Sequence, residues 1–259
     1  MKERLREVSK NCYVLSSDKN QVDIHVYLSK KLLEDFTEDE AIKQLYNASM
    51  LHGVVSPVIG MPDIHTGYGL PIGGVLATDY EKGVVSAGAV GMDINCGVRL
   101  ITTRVFSEEI NKDLLSKILQ AISKRVPQGV GKSSMLKELR KPNLEGIAYE
   151  GTEYYIKKGF GTHEDLNRIE DYGCIKGASV SAIPKSAMER TDQLGTIGGG
   201  NHFIEVGRIS QIFNEEIASK LGLYKNQIYI MIHTGSRGFG HQICTDYSQI
   251  MWNNSHKNQ

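Results

Sequence analysis

Apolar residues along this chain change their spacing several times, and that switching between two periods restricts the fold more than any other feature. Ile110, Leu114, Leu115, Ile118, Leu119 and Ile122 recur at intervals of three and four, which predicts an amphipathic helix ending before Pro127. Thr37 opens Thr-Glu-Asp-Glu, a capping-box pattern that predicts a helix over 38–51 with Thr37 as its N-cap. Shorter helices are expected over 163–170 and 214–221, and a longer one over 241–253. Alternating or continuous apolar runs rich in β-branched residues predict strands over 73–77, 98–105, 203–206 and 227–233. Helices and strands are mixed along the chain without long Pro/Ser linkers or an internal repeat. The expected class is α+β, as one compact domain over 1–259, with 40% hydrophobic residues to fill its core.

Charge and cysteine usage narrow the function. Lys+Arg and Asp+Glu both number 30, so no global positive field draws in nucleic acid, and any such contact must be local. The four cysteines, Cys12, Cys96, Cys174 and Cys244, form no CxxC pair, which argues against a disulfide scaffold or a zinc knuckle. A reducing, cytoplasmic setting is expected. The first ten residues lack the apolar region of a secretory leader, and no segment approaches the roughly 18 apolar residues of a membrane span.

Four glycine-rich polar clusters carry the chemistry. In the first, Gly60 to Gly74, Asp63 and His65 stand two apart and share one face of an extended segment, where a carboxylate can orient an imidazole; an ordinary Pro/Gly turn explains the same residues. The second, Gly91-Met-Asp-Ile-Asn-Cys-Gly, offers Asp93 and Cys96 to a cation, although a neutral cysteine is more often a small buried hydrophobe. The third runs Gly198-Gly-Gly-Asn-His-Phe-Ile-Glu. There His202 is a candidate ligand and Glu205 has the acceptor pair to read a donor edge such as that of guanine; a flexible loop before an edge strand is the plain alternative. The fourth follows the apolar strand ending at His233, where Ser236 could cradle an anion and Arg237 could fork onto a phosphate, unless the segment is simply a tight strand-to-helix connection. Asp93, Cys96, His202 and His233 together make a carboxylate, thiolate and imidazole set from three separate regions, which is how catalytic metal sites are assembled. Ligand type alone favours zinc and does not exclude manganese or iron.

At these four clusters, MPDIHTGYGLPIGG, GMDINCGVRL, GGGNHFIEV and MIHTGSRGFGHQ, the sequence resembles the RtcB family of RNA-splicing ligases, in order and spacing as well. VPQGVG and Gln193-Leu-Gly-Thr-Ile fit too, so the likeness runs from about residue 10 to Tyr247. The resemblance implies an RtcB-like mixed fold with sheets flanked by helices. It implies joining of RNA ends with a 2′,3′-cyclic phosphate or 3′-phosphate to a 5′-hydroxyl, with GTP and one or two Mn2+ ions, in tRNA splicing and RNA repair.

The same resemblance assigns roles. Asp93, Cys96 and His202 would hold one manganese, and Cys96 would bridge to a second held by His233. Asn201, His202, Phe203, Ile204 and Glu205 would line the GTP site. Asp63, His65 and Arg237 would support catalysis, the last through RNA phosphate. The implied partners are tRNA halves or broken RNA, an archease-type activator and a separate C-terminal chain; no membrane is implied. Family members are roughly twice as long, so the chain is expected to represent their N-terminal portion, truncated before the C-terminal half and its guanylylated histidine. His256 lacks the motif around that nucleophile. The expectation is a ligase polypeptide inactive alone. A non-catalytic metal- or RNA-binding remnant, a partner subunit of a split ligase, and a metal hydrolase sharing only the scaffold are the alternatives.

Overall fold

Ile24 to Tyr27 alternates buried and less buried side chains, and this strand lies at the centre of the first sheet. The computed structural model describes residues 1–15, 22–140 and 142–257, with the side chains of 140, 256 and 257 left aside. By its contacts the chain divides into two compact units, residues 1–91 with 247–259, and residues 92–246.

The first unit is built on a five-stranded sheet ordered β1 (Leu5–Ser9), β2 (Cys12–Leu15), β3 (Ile24–Tyr27), β4 (Val54–His65) and β5 (Ile72–Thr78). All neighbours are antiparallel except β3 and β4, which run parallel. A parallel pair needs a crossover, and the helices α1 (Lys30–Asp35) and α2 (Asp39–Ala48) supply it. Ile24 and Val26 are wholly buried beside Val58 of β4, while Tyr27 turns outward. Ala41, Ile42, Leu45 and Ala48 form one stripe of α2 and close the core over that sheet. The buried Gln44 amide of α2 is satisfied by the Gly67 backbone, donating to its carbonyl at 2.7 Å and accepting from its N–H at 3.0 Å. The glycine-rich turn after β4 is thereby tied to the helix.

The second unit centres on an antiparallel three-stranded sheet with β8 (Gln227–Thr234) between β6 (Gly97–Phe106) and β7 (Phe203–Arg208). Helices α3 (Lys112–Arg125), α4 (Lys137–Arg140), α5 (Leu144–Glu150), α6 (Thr152–Lys157), α7 (His163–Leu166), α8 (Lys185–Met188) and α9 (Glu215–Lys220) occupy the connections. Helix α10 (Arg237–Lys257) follows β8; its residues to Asp246 belong to the second unit and those from Tyr247 to the first. Pairing of Val98 with His233 and of His233 with Phe203 puts these three on one face of the sheet. Ile101, Ile230 and Val206 share the other.

Mixed helices and sheets make this an α+β fold, and the expected strands over 73–77, 98–105, 203–206 and 227–233 are each present within a residue or two. Two expectations change, and one choice between readings is resolved. The capping box at Thr37 is absent: α2 starts at Asp39 with Glu38 as N-cap, and no side chain caps it. Glu38 instead accepts from the Thr66 hydroxyl at 2.7 Å, a bond that holds its carboxyl below the usual carboxylate range. Of the two readings of the segment through Asp63 and His65, the extended one holds and the Pro/Gly turn gives way, since β4 reaches His65. The last helix begins at Arg237 rather than His241. No described helix is long and apolar enough to cross a membrane.

Candidate metal centre

Asp93 and Cys96 are brought to one side of the chain by the turn between them. Asn95 takes a left-handed φ of 64°, which asparagine tolerates better than most residues, and the Cys96 N–H donates to the Asp93 carbonyl at 2.9 Å. His202 ends the loop leading into edge strand β7, and His233 projects from central strand β8.

These residues converge. His202 Nε2 lies 3.0 Å from Asp93 Oδ2 and 3.4 Å from Cys96 Sγ. Donor atoms of Asp93, Cys96 and His202 all lie within 4.8 Å of one another. His233 Nε2 reaches the same sulfur at 3.3 Å without joining that three-residue group, so the thiol stands between two imidazoles. The two histidine rings meet edge to face with centroids 5.5 Å apart, and Phe203 packs on His233 at 5.4 Å.

Two glycines permit this closeness. A Cβ at Gly235 would strike the Asp93 carboxylate, and one at Gly198 would strike both the Arg237 guanidinium and the His202 ring. Ser236, read from sequence as part of an anion cradle, donates its hydroxyl to Asp93 Oδ1 at 2.8 Å and so fixes the carboxylate. Arg237 Nη1 lies 3.4 Å from His202 Nδ1.

The donor set fits a cation. Bond lengths of about 2.0–2.3 Å at tetrahedral angles place ligand atoms roughly 3.3–3.7 Å apart, close to the separations here. Burial, foremost, pushes the His202 pKa down; the Asp93 carboxylate opposes this, while Arg237 and His233 reinforce it, favouring the neutral imidazole that ligates metals. Cys96 keeps exposed surface as a residue, yet burial of its thiol and then the Asp93 charge push its pKa up. A thiol surrounded in this way becomes a thiolate when a cation replaces the proton.

The other candidates are placed as follows. Asp63 and His65 lie at the end of β4 in the first unit, and His65 Nδ1 contacts the Asp63 backbone carbonyl at 2.8 Å rather than its carboxylate. A strand end offers that carbonyl closer than the side chain. Asn201 is exposed just before β7, and Ile204 faces away from Phe203 and Glu205 along the strand. Glu205 accepts from the Tyr229 hydroxyl at 2.7 Å, a partner whose only sequence signal is its place on the neighbouring strand. Thr196 and Gln193, named in sequence only as part of a matching run, contact the start of α10. The side chain of His256 lies outside the described residues.

The family signature described as tRNA-splicing ligase RtcB matches residues 44–259. The chain belongs to the RtcB family. A tRNA-splicing ligase RtcB of Nanoarchaeum equitans is 44% identical over 250 residues, covering 95% of this chain and 52% of the relative. An RtcB of the same description from Methanococcus maripaludis is 38% identical, covering 99% and 54%. The RNA-splicing ligase RtcB of Mycobacterium bovis is 40% identical, covering 80% and 49%. The chain thus spans about half the length of the RtcB relatives it matches.

Proposed function

We propose that this chain carries the first metal site and part of the GTP site of an RtcB-type RNA ligase, which joins a 3′-phosphate or 2′,3′-cyclic phosphate end to a 5′-hydroxyl with GTP and manganese. The observation that carries the reading is the convergence of Asp93, Cys96 and His202, with His233 on the same sulfur. Manganese held there would neutralise charge developing on phosphate oxygens during in-line displacement. Cys96, Asp93 and His202 bind the cation, Ser236 orients the Asp93 carboxylate, and Phe203 packs the His233 ring into place. Asn201 and the face of β7 bearing Phe203 and Glu205 flank the nucleotide, and Arg237 contacts RNA phosphate. Asp63 and His65 serve as supporting polar groups.

No histidine of this sequence is assigned the guanylylated nucleophile, and the 259-residue chain is accordingly expected to bind manganese without forming a covalent guanylyl adduct. Incubation with radiolabelled GTP and manganese, followed by denaturing electrophoresis, tests this. A labelled protein band overturns the absence of a nucleophile. Failure of manganese binding, followed by paramagnetic resonance of the free ion and unaffected by Cys96→Ser, overturns the metal assignment.

A further inference from the structure

Arg237 is held in a way that its own element does not explain. It opens α10 with φ 57°, a backbone conformation that costs energy in a non-glycine residue and persists when the surroundings over-determine it. The surroundings here are one short stretch, Gln193 to Gly198. Thr196 Oγ1 accepts from Arg237 Nε at 3.4 Å, and Gln193 Oε1 accepts from the Gly238 N–H at 3.3 Å. Gly198 leaves room for the guanidinium beside the His202 ring.

Thr196 is only 5% exposed, and its hydroxyl donates to the Gln193 carbonyl at 2.7 Å. One hydroxyl has one proton, so that bond directs the oxygen lone pairs at Arg237. The stretch is anchored from behind: the Ile197 N–H donates to the Pro127 carbonyl at 3.0 Å, and the Gly129 N–H donates to the Gly198 carbonyl at 3.2 Å. A rigid acceptor therefore faces a strained arginine next to a candidate metal ligand.

We propose that Thr196 is a positioning residue whose buried hydroxyl fixes the Arg237 guanidinium beside His202, and so sets where a cationic side chain meets a phosphate next to the metal centre. The phosphate part rests on the reading of Arg237 given above; the clamp itself does not.

Thr196→Val keeps the shape and removes the acceptor, and Thr196→Ser restores it. The clamp is read by nitrogen-15 NMR of the arginine Nε–H groups in the 259-residue chain, with the Arg237 signal assigned by Arg237→Lys. The expected result is slow solvent exchange of that proton in the parent and in Thr196→Ser, and fast exchange in Thr196→Val. Equal exchange in all three overturns the proposal, as does fast exchange in Thr196→Ser when its far-ultraviolet dichroism matches the parent. Binding of a 3′-phosphorylated oligoribonucleotide with manganese present reads the consequence. Thr196→Val is expected to weaken it about tenfold, the scale of one hydrogen bond to a charged group. Arg237→Ala should weaken it similarly and the double variant no further, because the two act through one contact. Additive losses overturn the proposal. A parent chain that does not bind the oligonucleotide, while the exchange pattern is as expected, sinks the ligase reading and leaves the clamp standing.

Discussion

Cys96 is the residue on which the candidate centre turns, since its sulfur lies within reach of both His202 and His233. Cys96→Ser keeps the shape but replaces a soft donor with a hydroxyl that seldom ionises. Manganese affinity is expected to fall by at least about tenfold, measured by titration with paramagnetic detection. Asp39 offers a pH test away from the metal. The Lys2 backbone N–H at 2.9 Å, and then the Met1 ammonium at 3.1 Å, hold its carboxyl below the ordinary range. A depressed folded-state pKa adds stability above the unfolded value of about 3.9 and loses it as pH falls through the folded value. Urea stability of the parent and Asp39→Asn should therefore separate above about pH 5 and converge in stronger acid. At this scale the meeting of Asp93, Cys96, His202 and His233 was legible in the sequence, because carboxylate, thiol and imidazole side chains from separate glycine-rich segments have few common purposes. Thr196, Ser236 and Tyr229 were not legible in their roles, since a hydroxyl's partner is set by tertiary contact.

Amphipathic periodicity identifies a helix face without naming what covers it, and α2 and α3 show the difference. Both carry an apolar stripe, yet Ile42 and Leu45 of α2 are wholly buried while α3 has no buried residue and Leu119 is 45% exposed. Leu45→Ala is expected to cost about 2–5 kcal/mol in chemical unfolding of the first unit, as a large-to-small change in a packed core. Leu119→Ala should stay within about 0.5 kcal/mol. Strands β5 to β8 were legible because β-branched runs bounded by turn residues have few other readings. Strand β4 was legible only at its end, where Asp63 and His65 read as extended against a Pro/Gly turn alternative; its pairing with two neighbours and its register shifts are set by tertiary contact. The Thr37 cap failed because the helix starts two residues later, at Asp39, which makes Glu38 the N-cap, and the Glu38 carboxylate is taken by Thr66, a residue 28 positions away.

Across the whole molecule, equal numbers of basic and acidic side chains leave no long-range attraction for RNA. Binding of a single-stranded 3′-phosphorylated oligonucleotide should accordingly show a shallow dependence of log K on log salt. A slope of about −0.7 to −1.4 corresponds to one or two phosphates engaged. A slope several times steeper would require a basic surface beyond Arg237. The α+β class was readable from the mixture of periods. The division into two units was not, because no Pro- or Ser-rich linker marks it and α10 runs through the boundary.

That division has a practical bearing. All four donors fall between Met92 and Asp246, whereas the buried apolar cluster of Ile24, Ile42, Leu45 and Val58 belongs to the other unit. The proposed ion site and this buried apolar cluster therefore lie in different parts of the polypeptide. A lesion such as Leu45→Ala should lower the melting temperature while the manganese titration curve stays where it was, so loss of one property is no guide to loss of the other.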